Sequence, residues 1–300
     1  MRNLESGSSN LTHMKIRLSI IIAIASCAPT VLRAQLNPLQ AQYYTNRYLG
    51  NPAMAGIEKG WALSLSHRSQ FSNIPGAPVV QNLTAEYGYK RVGIGLNVTL
   101  DRAGLQRYVR ALASYAYHLQ INEVSTLYFG LSAGIRNQRL AVDEINGNPN
   151  DNLVGLYNQR QNYFDGDFGL ALTTGKISLE VSLPNLKNLF WNNNGIVADL
   201  PVFYSAFSYK IAVNEAELEP KVVFRGIKGF DHIWDAGTQL SFAKKQILLN
   251  GFYHSSGSAS FGIGMDYQQK YLLGFSHTLQ TTSLSNYTNG DFEVNLRLKF

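Results

Sequence analysis

The chain has 300 residues, 45% hydrophobic and 12% aromatic, with 17 Tyr, 15 Phe, 26 Gly and a formal charge of +6. Its mean hydropathy is slightly negative, and no run beyond the N-terminal segment reaches the roughly 20 apolar residues of a membrane helix, so a helical membrane bundle is excluded. Nucleic-acid binding is unsupported too: residues 1–34 hold Arg2, Lys15, Arg17 and Arg33 against Glu5, a net +3, which leaves +3 and no dense basic run in the rest.

Residues 1–34 have the layout of an export signal, in which Lys15 and Arg17 precede the apolar run Leu18–Ala25 and Leu32-Arg33-Ala34 offers a cleavage site before Gln35. Met14 is an alternative start. A rival reading is a lipobox, Ile24-Ala25-Ser26-Cys27, with Cys27 lipidated. Val31-Leu32 extends the apolar region towards Ala34 and favours simple cleavage, which removes the only cysteine and any disulfide with it. Residues 35–60 follow, rich in Gln, Asn, Tyr and Pro and too polar for lipid. This irregular segment is expected either in the periplasm or tucked into a lumen. Within it Asn51-Pro52 starts a turn, and Gly56 permits a positive φ.

From Trp61 to the end the apolar period is 2, not 3.6. Val92, Ile94, Leu96, Val98 and Leu100 alternate with Gly93, Gly95, Asn97, Thr99 and Asp101, and Ile177, Leu179, Val181 and Leu183 alternate with Ser178, Glu180 and Ser182. Strands are expected near 60–71, 78–90, 91–101, 105–119, 123–139, 163–174, 176–184, 201–212, 217–227, 232–243, 246–255, 258–267, 270–280 and 291–300, about fourteen in all. Ile74-Pro75-Gly76-Ala77-Pro78 makes a stiff turn in the first hairpin, because Pro-Gly favours type II. The links after even strands are short, and the long ones, 141–162, 185–200 and 281–290, all follow odd strands. That sorting fits an outer-membrane barrel with short periplasmic turns and longer outer loops; a soluble sandwich has no reason for it.

The last ten residues carry the same message. Phe292, Val294, Leu296, Leu298 and Phe300 alternate with polar partners over the length of one tilted membrane strand, ending on an aromatic ring. This is the expected insertion signal for the barrel-assembly machinery. The fold class is therefore all-β: a transmembrane up-and-down antiparallel barrel at 61–300. Parity turns Arg110, Glu180, Asp291, Glu293, Arg297 and Lys299 inwards, where mixed signs pair and favour a plugged or partner-filled lumen over an open pore. Tyr157 and Phe190-Trp191 in the long links are the expected outer contacts for a partner, although the latter pair also suits the aromatic girdle.

No catalytic group, metal or cofactor is expected. His67, His118, His254 and His277 lie on different strands, with no H-E-x-x-H, C-x-x-C or phosphate-binding glycine loop. Asp143-Glu144 and Asp165-Gly166-Asp167 offer carboxylates for Ca²⁺ at the outer face, but so few more often make solvated loops.

Several short motifs then occur in a fixed order. Gln42-Tyr43, Asn46 and Asn51-Pro52-Ala53-Met54-Ala55-Gly56 are followed by His67-Arg68-Ser69-Gln70-Phe71 and Ile74–Pro78 with its Pro75, Gly76 and Pro78. Tyr115–His118, Gly130–Gly134 and Ser182–Leu186 complete the series. In this the chain resembles the PorP/SprF family of outer-membrane proteins of type IX secretion and gliding systems. Departures are His67 where Tyr is commoner, Phe71 where Trp is commoner, and Phe292 where a His often precedes the Glu. The resemblance implies a non-enzymatic barrel that contacts periplasmic secretion components and holds a secreted adhesin or other cargo C-terminal domain at the surface. A transport barrel for small or apolar solutes is the alternative.

Overall fold

The computed structural model describes residues 42–145, 152–158, 162–187, 202–227, 231–280 and 288–300. The export-signal residues with Cys27, and Phe190-Trp191, lie outside these. The strands in chain order are β1 (Gly60–Ser69), β2 (Val79–Tyr89), β3 (Val92–Ala103), β4 (Gln106–Gln120) and β5 (Ser125–Leu140), then β6 (Asn162–Thr174), β7 (Ile177–Leu183), β8 (Val202–Tyr209), β9 (Ile211–Val213) and β10 (Ala216–Ile227). The last five are β11 (Ile233–Phe242), β12 (Ile247–His254), β13 (Ser258–Tyr267), β14 (Tyr271–Gln280) and β15 (Asp291–Lys299). A seven-residue helix, α1 (Asn152–Asn158), stands between β5 and β6.

Every strand pairs antiparallel with its neighbours in one sheet, and β15 returns to β1, with Ala62 opposite Lys299 and Ser69 opposite Phe292. The ring is closed, so the sheet has no open seam between its first and last strands. β8 and β9 share one register on β10 and form a single stave, which gives a barrel of fourteen. The expected strand at 201–212 is interrupted at Lys210. In the shared register Pro220 falls opposite Tyr209, beside the break, and proline has no N–H to give the ladder. The neighbouring Glu219 carbonyl accepts instead from the Tyr44 hydroxyl at 2.6 Å.

The two ends of the barrel differ. One end has tight turns and both barrel termini, where Trp61 and Phe300 exchange backbone hydrogen bonds of 3.2 and 2.9 Å. These turns are built from left-handed residues such as Gln268 and Gln269 (φ 53° and 56°), closed by the Lys270 amide on the Tyr267 carbonyl at 3.0 Å. The other end carries the longer links.

The pleat separates the faces. Leu65, Ile94, Leu96, Leu131, Phe275 and Leu296 point outwards and are exposed, while Ser66, Asn82, Thr84, Ser132 and Glu293 point inwards and are buried. Exposed rings gather at both margins: Trp61, Tyr89, Tyr117 and Tyr271 near the turn end, and Phe164, Trp234, Tyr253 and Phe292 near the loop end. An apolar belt between two aromatic girdles is the profile of a lipid-facing wall.

Leu296 sits within that belt and its neighbour Asn295 faces the lumen. Leu296→Asp should therefore impair folding in lipid, by less than the about 2–4 kcal/mol that an arginine or lysine costs at the bilayer midplane, and Asn295→Asp clearly less again. Heat-modifiability of outer-membrane fractions checks this; equal loss in both variants contradicts the assignment of faces.

Candidate functional site

The site is the interior of the barrel, filled by the chain's own N-terminal segment. Residues 42–56 run along the inward faces of the strands towards the turn end, where Gly60 starts β1. Two short 3-10 turns shape this path. Asn46 caps the first, Arg47–Leu49, accepting from the Leu49 amide at 3.2 Å. Asn51 caps the second, Pro52–Met54, accepting from the Ala53 amide at 3.0 Å, with Pro52 at the position that needs no N–H. The same two asparagines tie the segment to the wall: Asn46 donates to Thr84 at 3.0 Å, and Asn51 to the carbonyls of Leu170 and Val181 at 3.0 and 3.3 Å.

The other motif residues are held the same way. Gln42 donates to Ser66 at 2.8 Å, Tyr43 donates to Asp235, and the Gly56 amide donates to Glu86 at 2.9 Å with Gly56 at φ 61°. Tyr48 bonds Ser114 at 2.7 Å; burial pushes its phenol well above the ordinary range, so it stays a neutral hydroxyl. The wall is cut to receive this path. A Cβ added at Gly93 would fall on the Ala55 carbonyl oxygen, one at Gly130 on the Ala53 amide, and one at Gly169 on the Asn51 side chain.

The charges predicted to face inwards meet counter-charges there. Arg110 pairs with Asp167 at 2.5 Å, Glu180 with Arg47 at 2.9 Å, Asp291 with Arg68 at 2.6 Å and Arg297 with Asp266 at 2.6 Å. Lys299 pairs with Glu58 of the segment, and Glu293 is buried opposite Arg68 in the β1–β15 register. Asp165 and Asp167 are thus wall residues of β6 facing Arg110 and Arg136, not ligands on an outer loop, and among the described residues no three metal-ligating side chains cluster.

Elsewhere the structure separates what sequence grouped. In the first hairpin loop Arg68 and the Phe71 amide both bond Asp291, the amide at 3.0 Å. The Gln70 amide donates to the Pro78 carbonyl at 2.9 Å, and Pro75-Gly76 occupies the centre of an Ile74–Ala77 turn with Gly76 at φ 75°. Tyr157 on α1 is half-buried and its hydroxyl accepts from Gln138 at 2.7 Å, whereas its neighbour Leu156 is exposed. Phe292, Val294, Leu296 and Phe300 are exposed outwards and Leu298 partly so.

Sequence reading missed the segment's Arg47 and a linkage across β10–β14. Lys221 donates to the Tyr43 carbonyl at 2.7 Å, and Arg225 pairs with Asp235 at 2.7 Å. His254 then bonds Asp235 at 2.9 Å through Nδ1 and Ser260 at 2.8 Å through Nε2, joining three successive strands. The inward parity of Asp235 and Arg225 was the only available signal. Ser260, His254 and Asp235 stand in the bonding order of a nucleophile, base and orienting carboxylate. Yet Ser260 is 1% exposed, its Oγ is also bonded to Thr278 at 2.7 Å, and attack needs open space about 3 Å from that oxygen. The trio is a sealed tie between strands.

The model of the family described as type IX secretion system membrane protein PorP/SprF matches residues 32–298. The chain belongs to the PorP/SprF family. No curated protein matches. Among solved structures, the Acinetobacter baumannii outer membrane protein Omp33 is similar at TM-score 0.50 and 9% identity, covering 82% of this chain and 100% of its own. The Pseudomonas putida toluene transporter TodX follows at TM-score 0.49 and 9% identity, covering 85% and 92%. Omp33 supports the barrel fold alone. The family membership assigns this PorP/SprF chain to type IX secretion membranes, and the ordered motifs along residues 42–56 are where its barrel interior is filled.

Deleting residues 42–56 while keeping the strands should convert a barrel of low conductance into one with a stable open current in planar bilayers. An unchanged current would mean that the segment does not occlude the lumen.

Proposed function

We propose that this PorP/SprF barrel is a non-enzymatic component of the type IX secretion and gliding apparatus. It sits in the outer membrane with its turn end and both barrel termini in the periplasm, and it holds the C-terminal domain of a secreted adhesin or other cargo at the loop end. The observation that carries this reading is an interior already occupied by the protein's own motif residues. A barrel whose lumen is taken has two ends left to offer to partners. The turn end, with exposed Ile57, Glu58 and Lys59, is the place for periplasmic secretion components, and the loop end is the place for cargo. Leu156 and Tyr157 on α1, together with Phe190-Trp191, are the proposed cargo contacts, since aromatic and aliphatic anchors ringed by polar groups are the usual centre of an interface. The alternative, a transport barrel for small or apolar solutes, needs a path through the space that residues 42–56 occupy.

Two measurements test this reading. A cysteine placed at Ser256, in the β12–β13 link of the loop end, should react with an impermeant maleimide on intact cells, and one at Lys245, in a tight turn, should not. The reverse labelling overturns the orientation. Loss of the gene should release a cargo protein bearing the secretion C-terminal domain from the cell surface or block its export; unchanged surface retention sinks the proposed role.

A further inference from the structure

We propose that the outward face of β3–β5 at the loop end binds the phosphate groups of an outer-leaflet glycolipid through Arg102, Arg107 and Arg139. The reading rests on the orientation argued above. The register sets Arg102 opposite Arg107 and Arg107 opposite Arg139, so three guanidinium side chains stand in one row across three adjacent strands. Directly opposed like charges weaken a sheet. Their only described counter-charge is Glu144, which accepts from Arg107 at 2.6 and 2.5 Å and lies 3.8 Å from Arg102. Among the described residues the Arg139 side chain has no hydrogen-bonding partner. Three cations therefore share one carboxylate, and the row is short of negative charge.

Its height identifies what supplies that charge. The row stands one outward position above Leu100 and Val109, which are paired with each other in the apolar belt. On other strands the same margin carries rings such as Phe164, Trp234 and Phe292, so it is the level at which lipid headgroups meet the wall. Here alone among these strands guanidinium groups replace rings. A cavity of about 900 Å³ opens between the row and the first hairpin loop, with Leu100, Val109 and Ile74 as apolar lining and the three arginines against one carboxylate, Asp101, as its charged lining. That combination suits a ligand with a phosphate head and an acyl tail. Guanidinium groups bind phosphate by paired charge-assisted hydrogen bonds, and the Leu100–Val109 surface takes the tail. A free phosphate would use the first feature and not the second. The bland reading is that the arginines reach past the belt into water, which predicts no lipid dependence.

The test is native mass spectrometry of the full barrel, purified in mild detergent and offered lipid A, dephosphorylated lipid A or inorganic phosphate. Arg107 also holds the β3–β4 turn through the carbonyls of Gly104 and Gln106, so it is left in place and the variant is Arg102→Gln/Arg139→Gln. The bound fraction of lipid A should fall by about tenfold in the variant, the scale of two lost charge-assisted contacts. Binding to the wild type should fall similarly when dephosphorylated lipid A replaces lipid A, and the variant's loss should be recovered by Arg102→Lys/Arg139→Lys. Equal binding by wild type and variant, or equal binding of both lipids, overturns the proposal. Displacement of the lipid by millimolar inorganic phosphate would also overturn it, as the mark of a soluble-anion site. The assay uses isolated protein, so failure here is separable from failure of the cell-surface labelling that tests orientation.

Discussion

A charge that faces the filled inside of this barrel is cut off from bulk water and needs a partner there, most often a counter-charge. Removing one partner of a buried ion pair costs about 3–5 kcal/mol, so each inward carboxylate commits the structure to a specific neighbour. Arg68 with Asp291 links the first strand to the last across the closing seam, and Arg225 with Asp235 links β10 to β11. These pairs alone do not complete the interior. Glu180 is matched by Arg47 and Asp235 takes a hydrogen bond from Tyr43, both from the N-terminal segment. The segment gives Glu180 a closer cation than its wall neighbour Lys221, which stands 3.8 Å away, and gives Asp235 a further donor.

Size makes the same demand. Eight-stranded barrels are narrow enough for wall side chains to fill, and fourteen staves are not. Filling the extra width with large side chains would need many buried apolar or paired polar groups. This chain instead removes side chains from the wall, at Gly93, Gly130 and Gly169, and lets a second backbone come close. Such proximity buries peptide groups of the segment against the wall, so each needs a partner. The two asparagine caps, the Glu86 carboxylate, the Ser182 hydroxyl and the Lys221 ammonium provide them. A glycine in a strand interior is normally a loss of order; here it is the condition for packing.

Strand positions and faces were legible because a period of 2 against a lipid belt leaves no freedom: slipping one residue would turn every charge outwards. Arg110, Asp291 and Arg297 could be placed inside from that rule alone. Their partners could not, because Asp167, Arg68 and Asp266 are set by register between strands, which periodicity does not contain. The break at Lys210 was hidden for the same reason, since its cause, Pro220, lies on the facing strand. Residues 35–60 read equally well as a periplasmic tail, because short polar motifs do not say which surface they meet. The Ser260–His254–Asp235 arrangement shows the opposite hazard: its geometry resembles catalysis, and burial of the serine is what assigns it to structure.

The barrel uses arginine in two contrary ways, and the difference follows from solvent. Inside, Arg68 is 3% exposed and bound to a carboxylate that is itself buried, so both charges are fixed by a pair that neither can leave. Outside, Arg102 has 65% of its side chain exposed and sits 3.8 Å from a carboxylate already engaged by Arg107. An exposed pair of that kind contributes about 0–1 kcal/mol, too little to explain placing three cations in consecutive register positions on the lipid side. At the margin of the apolar belt, however, the surroundings are neither bulk water nor hydrocarbon. Anionic headgroups are held there at high local density by the membrane itself, and a cationic row opposes the repulsion among its own members by drawing them in. The inner arginines are satisfied by the chain and the outer ones by its surroundings, and a sequence pattern of period 2 is sufficient to sort them.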